Sequence, residues 1–373
     1  MPLLALLPLL AIDSLPGIVA GPYLQLASTP NSVVVQFVQR GNQGIKVTSG
    51  NLTVKPAGSL NLATPGLKVV KFIVADVGEK FTYSVTTGGK TATFLGKGSA
   101  PANKTKVAIF GDSGRGLPGQ SILAKQMNQY DANLIVHVGD IVYPNGRESE
   151  YFKFHFPVYG PMLSRVPSVA AAGNHDTAYR DLKKYPDGLA YYKLWHLPQN
   201  KPSWAKDFGN FSFTYGNSFW VILDSNTYNG WSQPAPQAWL RNELKKGASA
   251  KWRFVAFHHP PFHSSDKKKD EVYMKAIAPI LNQAKVNAVF SGHVHNYQRT
   301  KPVAAQPIYF VTGAGGAELY DQKLANNPSK WKPFTAVYLP GYSFTTLEFD
   351  SKTAEVKQVD SKGELIDKII LKP

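Results

Sequence analysis

The chain has 373 residues, enough for two or three domains and a full apolar core. With 43% hydrophobic, 12% aromatic and only 18% charged residues it reads as folded rather than disordered, and the absence of cysteine excludes disulfides, thiolate metal sites, iron–sulfur clusters and thiol nucleophiles. A net charge of +16, from 41 basic and 25 acidic residues, favours acidic partners: phosphorylated substrates, nucleic acid or an anionic surface.

Residues 1–20, MPLLALLPLLAIDSLPGIVA, open with an apolar run at 3–12 that has the length of a secretory h-region and is too short to span a bilayer as a helix. We read 1–20 as an apolar leader and expect export to a secreted, periplasmic or cell-surface location. The run has no basic residue before it, contains Pro8 and is followed by Asp13, which leaves a short arm packed on the body as the alternative. No later stretch reaches transmembrane length. Residues 21–100 read as all β, because 32–39 is rich in β-branched residues and 72–75, 81–87 and 91–95 are strand-like runs separated by glycine and polar turns. The expectation is a small sandwich, one or two strands short of a full one of about 100 residues, with 99–104 as linker. Between Gly21 and Lys106 stand Arg40 and nine lysines against only Asp76 and Glu79, so this unit is a candidate for binding an anionic surface or polymer.

From Lys106 the pattern changes to short apolar strands, each ending at a polar cluster and mostly separated by helical segments, which predicts an α/β layered core over 105–373. Strand 107–110 runs into Gly111-Asp112, 134–138 into Gly139-Asp140, and 168–172 into Gly173-Asn174-His175-Asp176. Strand 252–257 runs into His258-His259, and 288–290 into Gly292-His293-Val294-His295. Helices are expected at 117–130, 236–247 and 270–284. Strands at 342–349, 353–359 and 364–371 would give a second β layer. Nothing in the chain fixes an oligomeric state.

Ligands of layered α/β folds bind outside the carboxyl ends of the strands, so these five clusters converge. Convergent aspartates, an asparagine and histidines offer only oxygen and imidazole donors, a set suited to two metal ions bridged by one carboxylate. A glycine before a ligand lets the backbone turn off the strand and approach the ion where a Cβ would obstruct it.

The set Gly111-Asp112, Gly139-Asp140-Ile141-Val142-Tyr143, Gly173-Asn174-His175-Asp176, His258 and Gly292-His293-Val294-His295 resembles the metallophosphoesterase superfamily, with its calcineurin-like two-layered β-sandwich flanked by helices. Within it the chain resembles the purple acid phosphatases. Most metallophosphoesterases carry a histidine two residues after the first aspartate. Gly114 stands there, and Tyr143, three residues after Asp140, matches the tyrosine that purple acid phosphatases use instead. The alternative for Tyr143 is a buried ring packed under the site. The amino-terminal Gly21-Pro22-Tyr23-Leu24-Gln25-Leu26 and strand 32–39 resemble the opening of the fibronectin-III-like domain that precedes many such cores.

The resemblance implies that Asp112, Tyr143 and His295 hold a first metal, Fe(III), with Asp140 bridging, and that Asn174, His258 and His293 hold a second, Fe(II), Zn or Mn. It implies acid-phosphatase-type hydrolysis of phosphomonoesters, small or polymeric, by a metal-activated hydroxide. Asn174 and His175 would contact the phosphate, and His175 would stabilise transition-state charge. Many relatives have an aspartate two residues after the motif tyrosine to orient that histidine; here Asn145 stands there, and Asp176 is the substitute or an ordinary turn residue. His263 is the candidate general acid and His259 faces the phosphate or supports a ligand. His137, His155 and His196 read as structural, Asp224 as a turn residue or a support for the site, and Lys267-Lys268-Lys269 as a solvated run able at most to draw anions toward the cleft. The competing readings are a phosphodiesterase or nucleotidase with the same site, and a non-catalytic surface-binding or assembly protein that keeps its metals for structure.

Overall fold

The computed structural model describes residues 15–197, 201–269 and 271–373. Most of the leader, residues 1–14, lies outside the described residues. Leu15 is buried, and the first strand already starts at Ile18.

The amino-terminal part contains β1 (Ile18–Leu26), β2 (Val33–Arg40), β3 (Ile45–Thr48), β4 (Val54–Asn61), β5 (Leu67–Val74), β6 (Lys80–Thr87) and β7 (Lys90–Lys97). It therefore holds a full set of strands rather than a set one or two short. β4 escapes sequence reading because it carries Pro56 and Gly58 and is mostly exposed, and β3 because it is only four residues long. Leu24, Val33, Val35, Phe37, Phe72 and Val74 from one layer pack on Val47, Phe81, Tyr83, Val85 and Phe94 from the β3–β6–β7 layer.

The remainder contains β8 (Thr105–Phe110), α1 (Pro118–Tyr130), β9 (Leu134–His137), α2 (Phe156–Leu163), β10 (Ser168–Ala170), β11 (Phe211–Tyr215) and β12 (Ser218–Ile222). There follow α3 (Pro234–Lys246), β13 (Trp252–Ala256), β14 (Ala288–Ser291), β15 (Tyr297–Thr300), β16 (Ile308–Thr312) and β17 (Thr335–Leu339). The chain closes with β18 (Ser343–Phe349), β19 (Ala354–Asp360) and β20 (Leu365–Leu371). One sheet runs β20-β19-β18-β8-β9-β10-β1-β2-β5-β4, the other β11-β12-β13-β14-β16-β15-β17. β8, β9 and β10 are parallel neighbours, as are β12, β13, β14 and β16, so the carboxyl ends of each set share one edge.

The apolar runs are continuous because both faces of these strands are covered. In β12 and the residue after it, Trp220 and Ile222 face the space between the sheets, while Phe219, Val221 and Leu223 face Leu240 and Leu244 of α3. The helix expected at 270–284 is two short helices, Val272–Lys275 and Ala278–Gln283, because Pro279 lacks an amide hydrogen and disfavours helical backbone before it.

The amino-terminal sandwich is continuous with the core. β1 pairs in parallel with β10 at Gln25 and Ser168, and Tyr83 OH donates to Ser164 O at 2.7 Å. The buried Glu148 carboxylate accepts the amides of Ala63 and Thr64 at 2.9 Å each and pairs with Lys193 at 2.9 Å. Among the described residues no helix is long and apolar enough to cross a membrane.

Candidate metal centre

The five polar clusters do meet at the shared edge. Asp112, Asp140 and His293 each adopt left-handed backbone, φ 57°, 51° and 67°, which turns the chain sharply off its strand and aims the side chain across the edge. A Cβ at Gly173 would lie 2.1 Å from Asp140 Oδ1, and one at Gly292 2.4 Å from Asp112 Oδ2. Glycine is therefore required at both by close approach to the ligands. The missing histidine at 114 has the same kind of cause: a Cβ there would sit 2.1 Å from Ile141 O. Gly114 instead pairs its backbone with the 141–143 loop, Gly114 N–H to Ile141 O at 3.0 Å and Tyr143 N–H to Gly114 O at 3.0 Å, and this brings the Tyr143 ring to the place a histidine would serve.

Two groups of donor atoms result. Tyr143 OH donates to Asp112 Oδ1 at 3.1 Å and lies 3.1 Å from His295 Nε2, which is 3.3 Å from Asp112 Oδ1. His258 Nε2 is 3.2 Å from both Asn174 Oδ1 and Asp140 Oδ2. Donors held about 2.1 Å from one ion at right angles lie about 3 Å apart, so each group has the spacing of ligands around a common cation. The groups adjoin, since single donor atoms of Asp112, Asp140 and His258 fall within 4.8 Å of one another.

Each carboxylate uses one oxygen for the fold and keeps the other for the site. Asp112 Oδ2 accepts His293 N–H and Asp140 Oδ1 accepts His175 N–H, both at 2.8 Å. His258 Nδ1–H donates to Val138 O at 2.9 Å and His295 Nδ1–H to Glu318 O at 2.6 Å, which leaves Nε2 of each as the donor atom facing the carboxylates. His293 Nδ1 is buried without a hydrogen-bond partner, and its Nε2 is 3.7 Å from Glu271 Oε1. An orphaned buried imidazole nitrogen on a histidine grouped with His258 and His259 is what a cation would satisfy.

The electrostatics agree. Burial drives the His258 pKa down, but Asp140 and Asp112 more than offset it and raise it to about 9. Burial likewise opposes ionisation of Asp140, yet His258 and the neighbouring histidines hold its carboxyl well below the usual range. The Tyr143 phenol is pushed up by burial and by Asp112 and Asp140, so a cation is needed to ionise it. Carboxylates and imidazoles that bind protons this tightly to one another are groups for which a cation competes.

His175 is the accessible imidazole, its side chain about one-third exposed (34%). Its Nδ1–H donates to Pro144 O at 2.6 Å, and its Nε2 is 4.0 Å from Asp140 Oδ2. The Pro144 carbonyl is therefore its orienting partner. Asp176 does another job, accepting Ile141 N–H at 3.0 Å and Gly173 N–H at 2.8 Å and so clamping the two ligand loops together. Its carboxyl is pushed up to about 7 by burial and by Asp140.

His263 lies apart from these groups in its bonding: Nδ1 accepts Ser265 N–H at 3.1 Å and Nε2 is 3.2 Å from Lys269 O, so both ring nitrogens engage backbone. His259 does join the cluster, with its ring 4.6 Å from that of His293. Ser225, which nothing in the sequence marks, sets its tautomer. Ser225 Oγ accepts the amides of His258 (3.1 Å) and His259 (2.9 Å), so its own proton goes to His259 Nδ1 at 2.9 Å and the hydrogen of the neutral ring sits on Nε2. An N–H donor suits a phosphate oxygen and not a metal. Asp224 supports the site by accepting Asn226 Nδ2–H at 2.7 Å, and Asn226 in turn donates to Gly173 O at 3.3 Å. His137 and His155 are buried and His196 is half-buried, as structural residues are.

A layered α/β sandwich with paired carboxylates, imidazoles and a phenol at the strand ends defines a metal-dependent phosphoester hydrolase. Residues 105–297 match the Calcineurin-like phosphoesterase family and residues 306–368 match Iron/zinc purple acid phosphatase-like protein C. The chain belongs to the calcineurin-like phosphoesterase family and carries a carboxyl-terminal segment of the iron/zinc purple acid phosphatase type. It is 24% identical over 311 residues to probable purple acid phosphatase 20 of Arabidopsis thaliana, covering 77% of this chain and 72% of that protein. It is 26% identical over 245 residues to purple acid phosphatase 22 of the same plant, covering 63% of this chain but only 56% of that one. The solved structure of a purple acid phosphatase from yellow lupin (Lupinus luteus) seeds superposes with a TM-score of 0.75 at 20% identity, over 94% of this chain and 74% of that one.

Proposed function

We propose that the protein is a binuclear hydrolase of phosphomonoesters, with Fe(III) held by Asp112, Tyr143 and His295, a divalent Fe, Zn or Mn held by Asn174, His258 and His293, and Asp140 between them. The observation that carries this reading is the pair of adjoining donor groups at about 3 Å spacing, one of them containing a phenol. Bound cations would supply Lewis acidity, neutralising phosphate charge and lowering the pKa of a water to give the nucleophile.

The chain's own residues do the rest. Asp112, Asp140 and the Tyr143 phenolate bring three negative charges against the five of an Fe(III)–divalent pair, so the centre stays cationic and attracts a phosphate dianion. His175, oriented by Pro144 O, presents Nε2 beside the Asp140 carboxylate, where charge grows on the phosphoryl oxygens. His259 turns its Nε2–H toward His258 and His293, as a donor to a phosphate oxygen. Burial of the ligand carboxylates excludes bulk water and strengthens each of these interactions.

The test is hydrolysis by metal-loaded protein of phenyl phosphate against diphenyl phosphate. Turnover of the monoester at least about a hundredfold faster supports the reading. Faster turnover of the diester would assign the same centre to phosphodiester cleavage, and turnover of neither by fully loaded protein would leave a binding or assembly role.

A further inference from the structure

The run Lys267-Lys268-Lys269 reads in sequence as a solvated loop, yet one of the three rests on a ring that stacks against the candidate metal centre. Lys267 and Lys269 are exposed, whereas Lys268 is half-buried with Nζ 5.7 Å from the centre of the Tyr320 ring. Tyr320 stacks on the ligand His295, with ring centres 4.2 Å apart and planes at 24°. The loop is bolted in place. Lys267 and Lys268 amides donate to Ser265 Oγ at 3.1 and 3.3 Å, and Ser265 Oγ donates to Asp321, the residue after Tyr320.

We propose that Lys268, seated on Tyr320, forms a subsite for a second anionic group next to the scissile phosphate, so that the centre prefers substrates bearing two neighbouring anionic groups, such as diphosphates. This rests on the phosphatase reading of the metal centre. The inference stands on three placements. Lys268 lies over Tyr320, whose ring stacks on the proposed first-metal ligand His295, beside the donor groups and not among them. Arg115, whose guanidinium lies 5.9 Å from the Tyr143 ring centre, is engaged by Glu318 at 2.8 Å. The nearby acids also have partners, Glu318 on Arg115, Asp321 on Ser265 and Glu271 beside His293, while Asp266 is exposed. A compact ammonium on a flexible stem, resting on an aromatic face, can meet an anion extending from the metals without desolvating fully. His263, five residues after His258, cannot serve this purpose while both ring nitrogens engage backbone.

The test is calorimetric binding of methylenediphosphonate and methylphosphonate, neither of which is hydrolysed, to metal-loaded wild type, Lys268→Gln and Lys268→Arg. Expected is a preference of wild type for the diphosphonate that falls about fivefold in Lys268→Gln, is retained in Lys268→Arg and shrinks with added salt, while methylphosphonate affinity changes less than about twofold. Equal weakening of both ligands would mean that Lys268 acts on the shared phosphonate or on the fold, and no weakening of either would place it outside the site; each overturns the inference alone. A loaded wild type that binds neither ligand overturns the phosphatase reading, and the inference with it.

Discussion

Replacing Ser225 with alanine probes how the backbone, rather than the ligands, builds the centre. Ser225 Oγ is fully buried and makes three hydrogen bonds, accepting the consecutive amides of His258 and His259 and donating to His259 Nδ1. Three net hydrogen bonds at about 1 kcal/mol each, with two amides left unsatisfied in a dry site, put the loss at about 3 to 4 kcal/mol of folding stability. The loss is too large for a surface hydroxyl, and it carries a second signature, because His258 is itself a proposed ligand. Urea unfolding of metal-free protein reads the first effect as a lower midpoint at unchanged slope, and metal titration reads the second as weaker binding at the Asn174, His258 and His293 group. A cost below about 1 kcal/mol with metal affinity intact would refute the reasoning, since it would show that these amides do not depend on Ser225.

Other positions give independent expectations. Gly173→Ala places a Cβ 2.1 Å from Asp140 Oδ1, so metal affinity should fall about a hundredfold by dialysis equilibrium, while a tolerated alanine would show that the loop can move. His175→Ala should keep both metals by elemental analysis and lower kcat on phenyl phosphate about a hundredfold; loss of metal would make it structural. His155 is buried among Tyr151, Tyr159 and Trp195, and burial pushes its pKa down to about 3. The folded state therefore binds fewer protons than the unfolded one below pH 6.5, and stability is lost as pH falls from 6.5 toward 3 at about 1.4 kcal/mol per pH unit for this group. His155→Gln should flatten the pH dependence of the unfolding free energy between pH 6.5 and 4.5 by that slope, and an unchanged slope would contradict the assignment.

Asp112, Asp140, Asn174 and His293 are legible in the sequence because each follows an apolar run and a glycine, and His258 because it ends an apolar run. The strands carrying Asp112, Asp140, Asn174, His258 and His293 lie within two residues of their expected limits. What escaped depends on contacts distant in sequence. Ser225 sits on a loop with no pattern, Glu271 reaches the site from just ahead of the short helix Val272–Lys275, and Pro144 orients His175 through a carbonyl, which every residue has. Asp176, next to His175 in sequence, turns instead to the amides of Ile141 and Gly173. β15 and β17 also went unread, since they are short and are fixed by pairing with each other rather than by alternation of their own. Gly114 shows the reverse case. Sequence comparison notices the absent histidine, and the structure supplies the cause, a backbone approach that a side chain at 114 would block.

The proposed two-metal centre is tested most directly by metal content and visible absorption measured together on wild type and Tyr143→Phe. Two ions per chain in wild type, with a phenolate-to-iron charge-transfer band that disappears in the variant, is the predicted result. A single ion per chain, or fully loaded protein whose spectrum is the same with and without the Tyr143 hydroxyl, would contradict the assignment of that phenol to an iron site and with it the two-metal centre proposed here.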